Sequence, residues 1–478
     1  MAKTIELTGG QQRAFQKIIE FIDSPDKQVF VLKGYAGTGK TTLMKKLIEK
    51  FSRYNKRFHL LASTGRAAKI LSNITESPAS TVHSLIYVYD DLNQDLEKVV
   101  SEREKSGIDR SGQLLLSFSL SKVDQEEDPR QCIYIIDESS MISDKAEKGA
   151  TQALFGSGRL LKDLLDYDPE GKFLFVGDAC QLPPVDQDIS PALSVSHFWE
   201  IFRMKADEIE LTEIVRQKKD NGIVNASAKI RELYFRCPEV NWAKFPLKQA
   251  GQIHLISDQM TLIRRYIEKI KRDGFKSATL ICCSNKLCDT LTDILRPSLG
   301  FHSSRLQKGD LLLVTQNNSI SKLMNGDLVT VEEISNERVV RANLTFVKVK
   351  VKDLHSEKVY SQLLVEDIIY GRQTNLTPSQ QKELYIDFYK RMKKEGIRQK
   401  SELFKIKMLT DDYLNALRAV YGYALTCHKA QGGEWSHVYL DIPRWMTKSP
   451  KRGLYQWLYT AMTRAKEELY LVDDFYII

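Results

Sequence analysis

The stretch VFVLKGYAGTGKTTLMKKLIEKF, Val29 to Phe51, decides the fold. An apolar run stops at a glycine-rich turn, Lys40 and two threonines follow, and a pattern with helical spacing then begins. Gly34, Gly39, Lys40 and Thr41 satisfy the spacing GxxxxGK followed by Ser or Thr, between a predicted strand and a predicted helix, which is the context of a phosphate-binding loop. Backbone N–H groups of the turn and of the helix N-terminus hold phosphate oxygens in such a loop, the lysine reaches the outer phosphates, and the threonine hydroxyl ligates Mg2+. The nucleotide-holding candidates are Gly34, Gly37, Thr38, Gly39, Lys40, Thr41 and Thr42.

Such a loop needs a second partner for the ion, an Asp at the end of a buried strand. CIYIIDESSM supplies Asp137 after four apolar residues, with Glu138 directly behind it. Asp137 suits the ion's water shell, and Glu138 suits orienting and deprotonating an attacking water, an adjacency that separates hydrolases from kinases. A third strand end, FLFVGDACQLPPV, puts the amide of Gln181 where it can bond a γ-phosphate or that water.

With 478 residues, two large domains with smaller insertions are expected. No apolar run of about 18 residues appears, and MAKTIELTGGQQ lacks the apolar centre of a signal peptide, so a soluble, intracellular protein is expected. Seven scattered cysteines without CxxC pairs read as reduced thiols. The formal charge of +8 is permissive for a polyanionic partner and no more.

Strands and helices alternate up to about residue 85, the signature of a parallel sheet. From about 86 to 129 the pattern reads as a hairpin with a charged tip, inserted between core strands. A second α/β unit begins after about Asp207, and residues 306 to 371 turn wholly β, as a small inserted barrel would. The basic run from Lys390 to Lys407 reads first as a solvated helical face and second as a surface for a nucleic-acid backbone.

LTGGQQRAF, GYAGTGKTT, LLASTGRAAKIL, STVHSLI, IIDESSM, GDACQLPPV, LTEIVRQ, YALTCHKAQGGEW and LYTAMTRAKEELYLV occur in this order over most of the chain. The set resembles the 5′-to-3′ branch of the superfamily 1 DNA helicases, the Dda-like and RecD-like enzymes. The resemblance implies an α/β fold of two RecA-like parallel-sheet domains with an inserted β-hairpin pin and an inserted SH3-like barrel. The division it implies is 1–85 with 130–206 for the first domain, 86–129 for the pin, 207–305 with 415–478 for the second domain, and 306–414 for the barrel with its basic helices.

It further implies that Gln11 reads adenine, that Lys40, Thr41, Asp137 and Glu138 do the chemistry given above, and that Gln181 senses the γ-phosphate. Arg216 and Arg464 approach that phosphate from the second domain, and Glu434 lies near the ribose. Thr64, His83, Thr426, His428 and Lys429 form the strand-tracking surface. Hydroxyls, imidazoles and ammonium groups bond phosphates without reading bases, so recognition is expected to be nearly sequence-blind. Phe118 is the pin aromatic that a base pair would stack on, although its place in an alternating apolar strand fits plain packing better.

The expected function is ATP- and Mg2+-dependent translocation on single-stranded DNA with unwinding of duplex. The partners expected are single strands and strand junctions, with a single-strand-binding protein or replication and recombination proteins besides; the chain is expected to act as a monomer away from membranes. One rival is a translocase that displaces proteins or migrates branches without unwinding. Another is an ATP switch that binds a protein and no nucleic acid, against which LTCHKAQG and ASTGRAA stand.

Overall fold

The computed structural model describes residues 6–106, 112–123, 130–146, 153–215, 221–248 and 250–478. Within it, Val29–Gly34 is a strand that runs through the glycine turn into the helix Lys40–Arg53. The strand belongs to a six-stranded parallel sheet in the order Ala79–Thr81, Phe58–Ala62, Ile133–Asp137, Lys172–Gly177, Val29–Gly34, Ala206–Leu211. Parallel sheets bury both faces, and the alternation along this strand shows it. Phe30 and Leu32 join one core with Ala14, Leu43 and Leu47, whereas Val29 and Val31 join another with Leu161, Leu164 and Phe198. Each such side chain contributes roughly 1.5–3 kcal/mol by leaving water. The strand ends, where the polar residues of the motifs sit, are thereby held in fixed register.

A second parallel sheet follows the order Ile253–Ile256, Ala465–Val472, Trp435–Leu440, Ala278–Cys282, Leu425–Thr426. Between its strands the chain inserts an antiparallel five-stranded sheet, Val359–Val365, Leu344–Asp353, Leu328–Arg341, Leu311–Val314 and Ala419–Tyr421, around a separate core that includes Leu312, Val329 and Val347. A bridge between Leu364 and Leu417 links its two ends.

Two expected boundaries move. Ala206–Leu211 pairs with Val29–Gly34 in the first sheet, so a division at 206/207 cuts a strand in two. This edge strand, ADEIEL, carries charge on its open side and does not read as core. Ala419–Tyr421 pairs with Leu311–Val314, so the second parallel unit resumes at Leu425 and not at 415.

The 86–129 insertion is more than a hairpin. Tyr87–Leu92 and Leu116–Leu120 pair antiparallel, Ala153–Phe155 adds a parallel third strand, and the helix Leu96–Ser106 lies between the first two. Part of the expected charged tip, 107–111, and the end of the insertion, 124–129, lie outside the described residues. Leu96, Val99 and Val100 pack with Leu384, Tyr385 and Phe388 of the helix Pro378–Lys394. Arg103 pairs with Glu383 at 2.7 Å, and Gln399 accepts from the Leu96 N–H at 2.8 Å. The insertion is thus anchored on the basic helical segment, where Arg391 is itself taken up by Asp387 and Asp411. No helix among the described residues is long and apolar enough to cross a membrane.

Candidate active site

The phosphate loop closes on itself. Gly37 and Gly39 have φ of 82° and 76°, the left-handed region that glycine enters without strain. A Cβ on Gly34 would stand 2.8 Å from Thr38 Oγ1, so strand end and loop touch. The Thr38 hydroxyl donates to the Tyr35 carbonyl at 2.8 Å, and Lys40 Nζ donates to the carbonyls of Gly34 at 2.6 Å and Tyr35 at 3.2 Å. Thr41 and Thr42 sit half-buried on the first turn of the helix. Lys40 is therefore folded over the loop on weak neutral acceptors, which phosphate oxygens would outcompete.

Gln11 is 1% exposed. Its Nε2 donates to the carbonyls of Thr38 and Gly39 at 3.1 and 3.4 Å, and its Oε1 accepts from the Thr8 N–H at 3.0 Å. Both ends of the amide are engaged in bracing the loop against the helix Gly9–Asp23.

Asp137 closes its strand with its carboxyl pushed up to about 7, by burial first and by Glu138 second, while Lys40 pulls the other way. Glu138 stands in the left-handed region, with φ of 51°, and its N–H donates to Asp137 Oδ1 at 2.9 Å. Among the described residues no Lys or Arg forms an ion pair with either carboxylate. Two adjacent acids at a buried strand end, one of them with its carboxyl raised by burial, and the Thr41 hydroxyl on the helix's first turn suit a hydrated divalent cation. Gln181 is 4% exposed, and its Oε1 is buried without a partner. A buried acceptor in that state costs about 1–3 kcal/mol, which a bound water would relieve by donating to it.

Arg464 comes from the second parallel unit and is 5% exposed. It donates to the carbonyls of Thr460 and Gly433 at 3.0 and 3.5 Å and to Thr463 Oγ1 at 3.2 Å, all neutral acceptors. Burial pushes the Asp178 carboxyl up, and Lys40 and Arg464 both pull it down, so these two cations converge on one carboxylate across the cleft. Arg216 lies outside the described residues. Glu434 is exposed and pairs with Lys466 at 3.6 Å.

Of the expected strand-tracking residues, Thr64 caps the helix Gly65–Thr75 and Thr426 caps Cys427–Ala430. The Thr64 segment meets the chain just beyond Lys429, since a Cβ on Gly432 would lie 3.5 Å from Thr64 Oγ1. Met324 packs on Gly65, and Asn325 accepts from Lys429 Nζ at 2.9 Å. His428 lines a cavity of about 480 Å3 with Val185, Gln456, Lys451 and Arg452. His83 and Phe118 lie elsewhere, both against Phe155, at 5.3 and 4.7 Å between ring centroids. Phe118 also meets Tyr89 edge-on at 5.7 Å. The Phe118 ring is half-buried and packs on these two neighbours, as its place in an alternating strand implies.

Sequence reasoning passed over several residues of this cleft. Tyr459 stands inside LYTAMTRAKEELYLV, and its hydroxyl reaches the loop, accepting from the Ala36 N–H at 3.1 Å. Arg231 stands 3.6 Å over the Tyr35 ring from a helix with no motif to mark it. Arg66 stacks on Trp435 at 4.6 Å across the two parallel units, its charge disfavoured by burial.

The comparisons with known proteins agree with this architecture. The UvrD-like helicase C-terminal domain matches residues 421–472. The chain is 25% identical over 501 aligned residues to the ATP-dependent DNA helicase dda of Enterobacteria phage T4, covering 98% of this chain and 99% of that protein. It is 24% identical over 444 to the ATP-dependent RecD2 DNA helicase of Deinococcus radiodurans, covering 93% of this chain but only 46% of that longer protein. Its fold is shared with a Pif1 helicase from Bacteroides, solved with ADP-AlF3 and single-stranded DNA, at a TM-score of 0.50 and 18% identity, covering 99% of this chain and 93% of that one. The relatives are thus superfamily 1 helicases of the Dda and RecD kind. The AAA domain profile matches residues 6–257, more than half of the chain and the whole of the first parallel unit, and the chain belongs to the AAA domain family.

Proposed function

We propose that this protein is an ATP-dependent DNA helicase that tracks along single-stranded DNA in the 5′-to-3′ direction and separates duplex ahead of it. The observation that carries the reading is Arg464, a buried cation from the second parallel unit that meets only neutral acceptors and converges with Lys40 on Asp178. A cation so held suits an anion that arrives between the units. Lys40 exchanges the carbonyls of Gly34 and Tyr35 for phosphate oxygens, Glu138 orients and deprotonates the attacking water, and the orphaned Gln181 Oε1 accepts a hydrogen bond from it. Thr41 and Asp137 would hold Mg2+, which neutralises charge on the phosphate oxygens. Arg464, with Arg216, meets the charge that spreads over the γ-phosphoryl oxygens, which requires a closed cleft. Hydrolysis is thereby tied to closure, and closure to movement.

The strand path in this reading crosses both parallel units along Thr64, Thr426, His428 and Lys429, with Lys451 and Arg452 beside them. Gln11 holds the loop that receives the nucleotide, and Glu434 lies toward the ribose. The proposed domains are the first parallel unit through Leu211, the insertion at 86–129, the second parallel unit, and the antiparallel sheet with its basic helices. The protein acts as an intracellular monomer on strands and junctions, with a single-strand-binding protein or replication and recombination proteins as natural company. One observation favours a narrower second reading: Phe118 is half-buried against Phe155 and Tyr89, and an insertion whose aromatics pack on one another suits a translocase that does not unwind. ATP hydrolysis measured with and without poly-dT tests the shared part. Stimulation by the strand is expected, and hydrolysis indifferent to poly-dT would leave an ATP switch instead.

A further inference from the structure

Two side chains of the second parallel unit seat on the first two residues of the phosphate loop. Arg231 covers the ring of Tyr35, and the Tyr459 hydroxyl accepts from the Ala36 N–H at 3.1 Å. The same hydroxyl donates to Asp178 Oδ2 at 2.6 Å. A phenol has one proton, so donating to the carboxylate and accepting from the amide fixes a single orientation of a neutral Tyr459. Both Tyr459 and Asp178 are 1% exposed. The other Asp178 oxygen accepts from the Cys180 N–H at 3.0 Å.

Opening the cleft breaks both bonds of the hydroxyl at once. It leaves a buried carboxylate short of a donor and frees a loop amide that has turned toward the second unit. The neighbouring contact has the same sense, since Thr460 Oγ1 accepts from the Leu182 N–H at 2.9 Å, one residue beyond Gln181. Tyr459 and Thr460 therefore fix how the helix Arg452–Met462 sits on two strand ends of the first unit, and Arg464 follows two residues after that helix. A small displacement of the helix would carry the Arg464 guanidinium away from Lys40 and Asp178.

We propose that Tyr459 is a positioning residue that couples closure of the cleft to the geometry of the phosphate loop, so that Arg464 is delivered only when the Tyr459 hydroxyl is seated on Ala36 and Asp178. This rests on the ATPase reading given above. The phenyl ring alone packs the interface; the hydroxyl alone carries the coupling, and Tyr459→Phe separates the two.

The test compares the full-length wild type with Tyr459→Phe, Asp178→Asn and the double variant, in poly-dT-stimulated ATP hydrolysis and in hydrogen exchange of the peptide spanning 34–40. Loss of a hydrogen bond to a charged group predicts that stimulated kcat falls about tenfold or more in Tyr459→Phe while KM for ATP moves by less than about threefold. The double variant should be about as impaired as the worse single, because both singles act on the same bond, Tyr459→Phe by removing its donor and Asp178→Asn by taking the charge from its acceptor. The loop peptide should exchange at least about tenfold faster in Tyr459→Phe. A stimulated kcat within about twofold of wild type, a KM effect without a kcat effect, or losses that multiply in the double variant would overturn the coupling. Should the wild type show no strand-stimulated hydrolysis, the ATPase reading fails, and the exchange rate of the 34–40 peptide still decides whether the hydroxyl seats the loop. Asp178→Asn, which keeps the size and an acceptor, answers the same question should Tyr459→Phe not fold.

Discussion

Lys69, on the first parallel unit, lies between two buried carboxylates of the antiparallel sheet, bonded to Asp327 and 3.7 Å from Asp353. One ammonium thus ties the inserted sheet to the helix that follows Thr64. Its removal leaves two buried acids with only the neighbouring Arg66 to offset their charge. Lys69→Ala is expected to cost roughly 2–3 kcal/mol, and Lys69→Arg much less. Equilibrium denaturation at unchanged slope measures it, and a Lys69→Ala midpoint equal to wild type would remove the strut.

Glu138 holds a left-handed backbone conformation that costs a non-glycine residue of order 1–2 kcal/mol. Glu138→Gly relieves that strain against a comparable loss from the freer unfolded chain, so Tm should stay level or rise. Hydrolysis should nevertheless fall by about a hundredfold or more, as for a lost general base. Glu138→Gln should likewise stop turnover while still binding ATP, whereas Lys40→Ala should weaken binding itself. Retained strand-dependent hydrolysis in either Glu138 variant would take the base role from this residue.

Gln11 spends its amide on Thr38, Gly39 and Thr8. If its contribution is bracing, Gln11→Ala weakens ATP and GTP alike, by about tenfold, as for two to three neutral hydrogen bonds shared with solvent in the variant. If it reads adenine, only the preference for ATP over GTP collapses. The bonds seen here favour the first outcome, and competition of the two nucleotides in the hydrolysis assay separates them.

The His83 ring is held down to about 4 by burial, against an ordinary value of 6.5. The unfolded chain therefore binds more protons than the fold between those values, and stability from this ring is lost as pH falls through that window. His83→Gln should flatten the acid side of the stability profile below about pH 6.5 while changing little at pH 8. Unchanged acid sensitivity in that variant would mean that the ring is more open than its packing on Phe155 and Tyr87 implies.

The phosphate loop, the Asp137–Glu138 pair and Gln181 were legible because each closes a buried apolar strand, where residue type and position are both dictated. Arg464 was legible only through its motif, since nothing local distinguishes it from a surface arginine. The helix Leu96–Ser106 was not legible: its apolar residues, Leu96, Val99 and Val100, cover one narrow stripe whose partner lies nearly 300 positions away in Leu384 and Phe388. The edge strand Ala206–Leu211 and the returning strand Ala419–Tyr421 were missed for the same reason, because pairing across distant segments leaves little trace in either one. Tyr459 and Arg231 matter through contacts between the two parallel units, which no single stretch of chain encodes.

The central claim, a motor that moves 5′ to 3′ and opens duplex, is tested most directly with two partial duplexes, one with a 5′ single-stranded tail and one with a 3′ tail, given ATP, Mg2+ and a trap strand. Strand separation from the 5′-tailed substrate alone is the expected result. Separation from the 3′ tail alone would contradict the direction, and strand-stimulated hydrolysis without separation from either tail would contradict unwinding and leave a translocase.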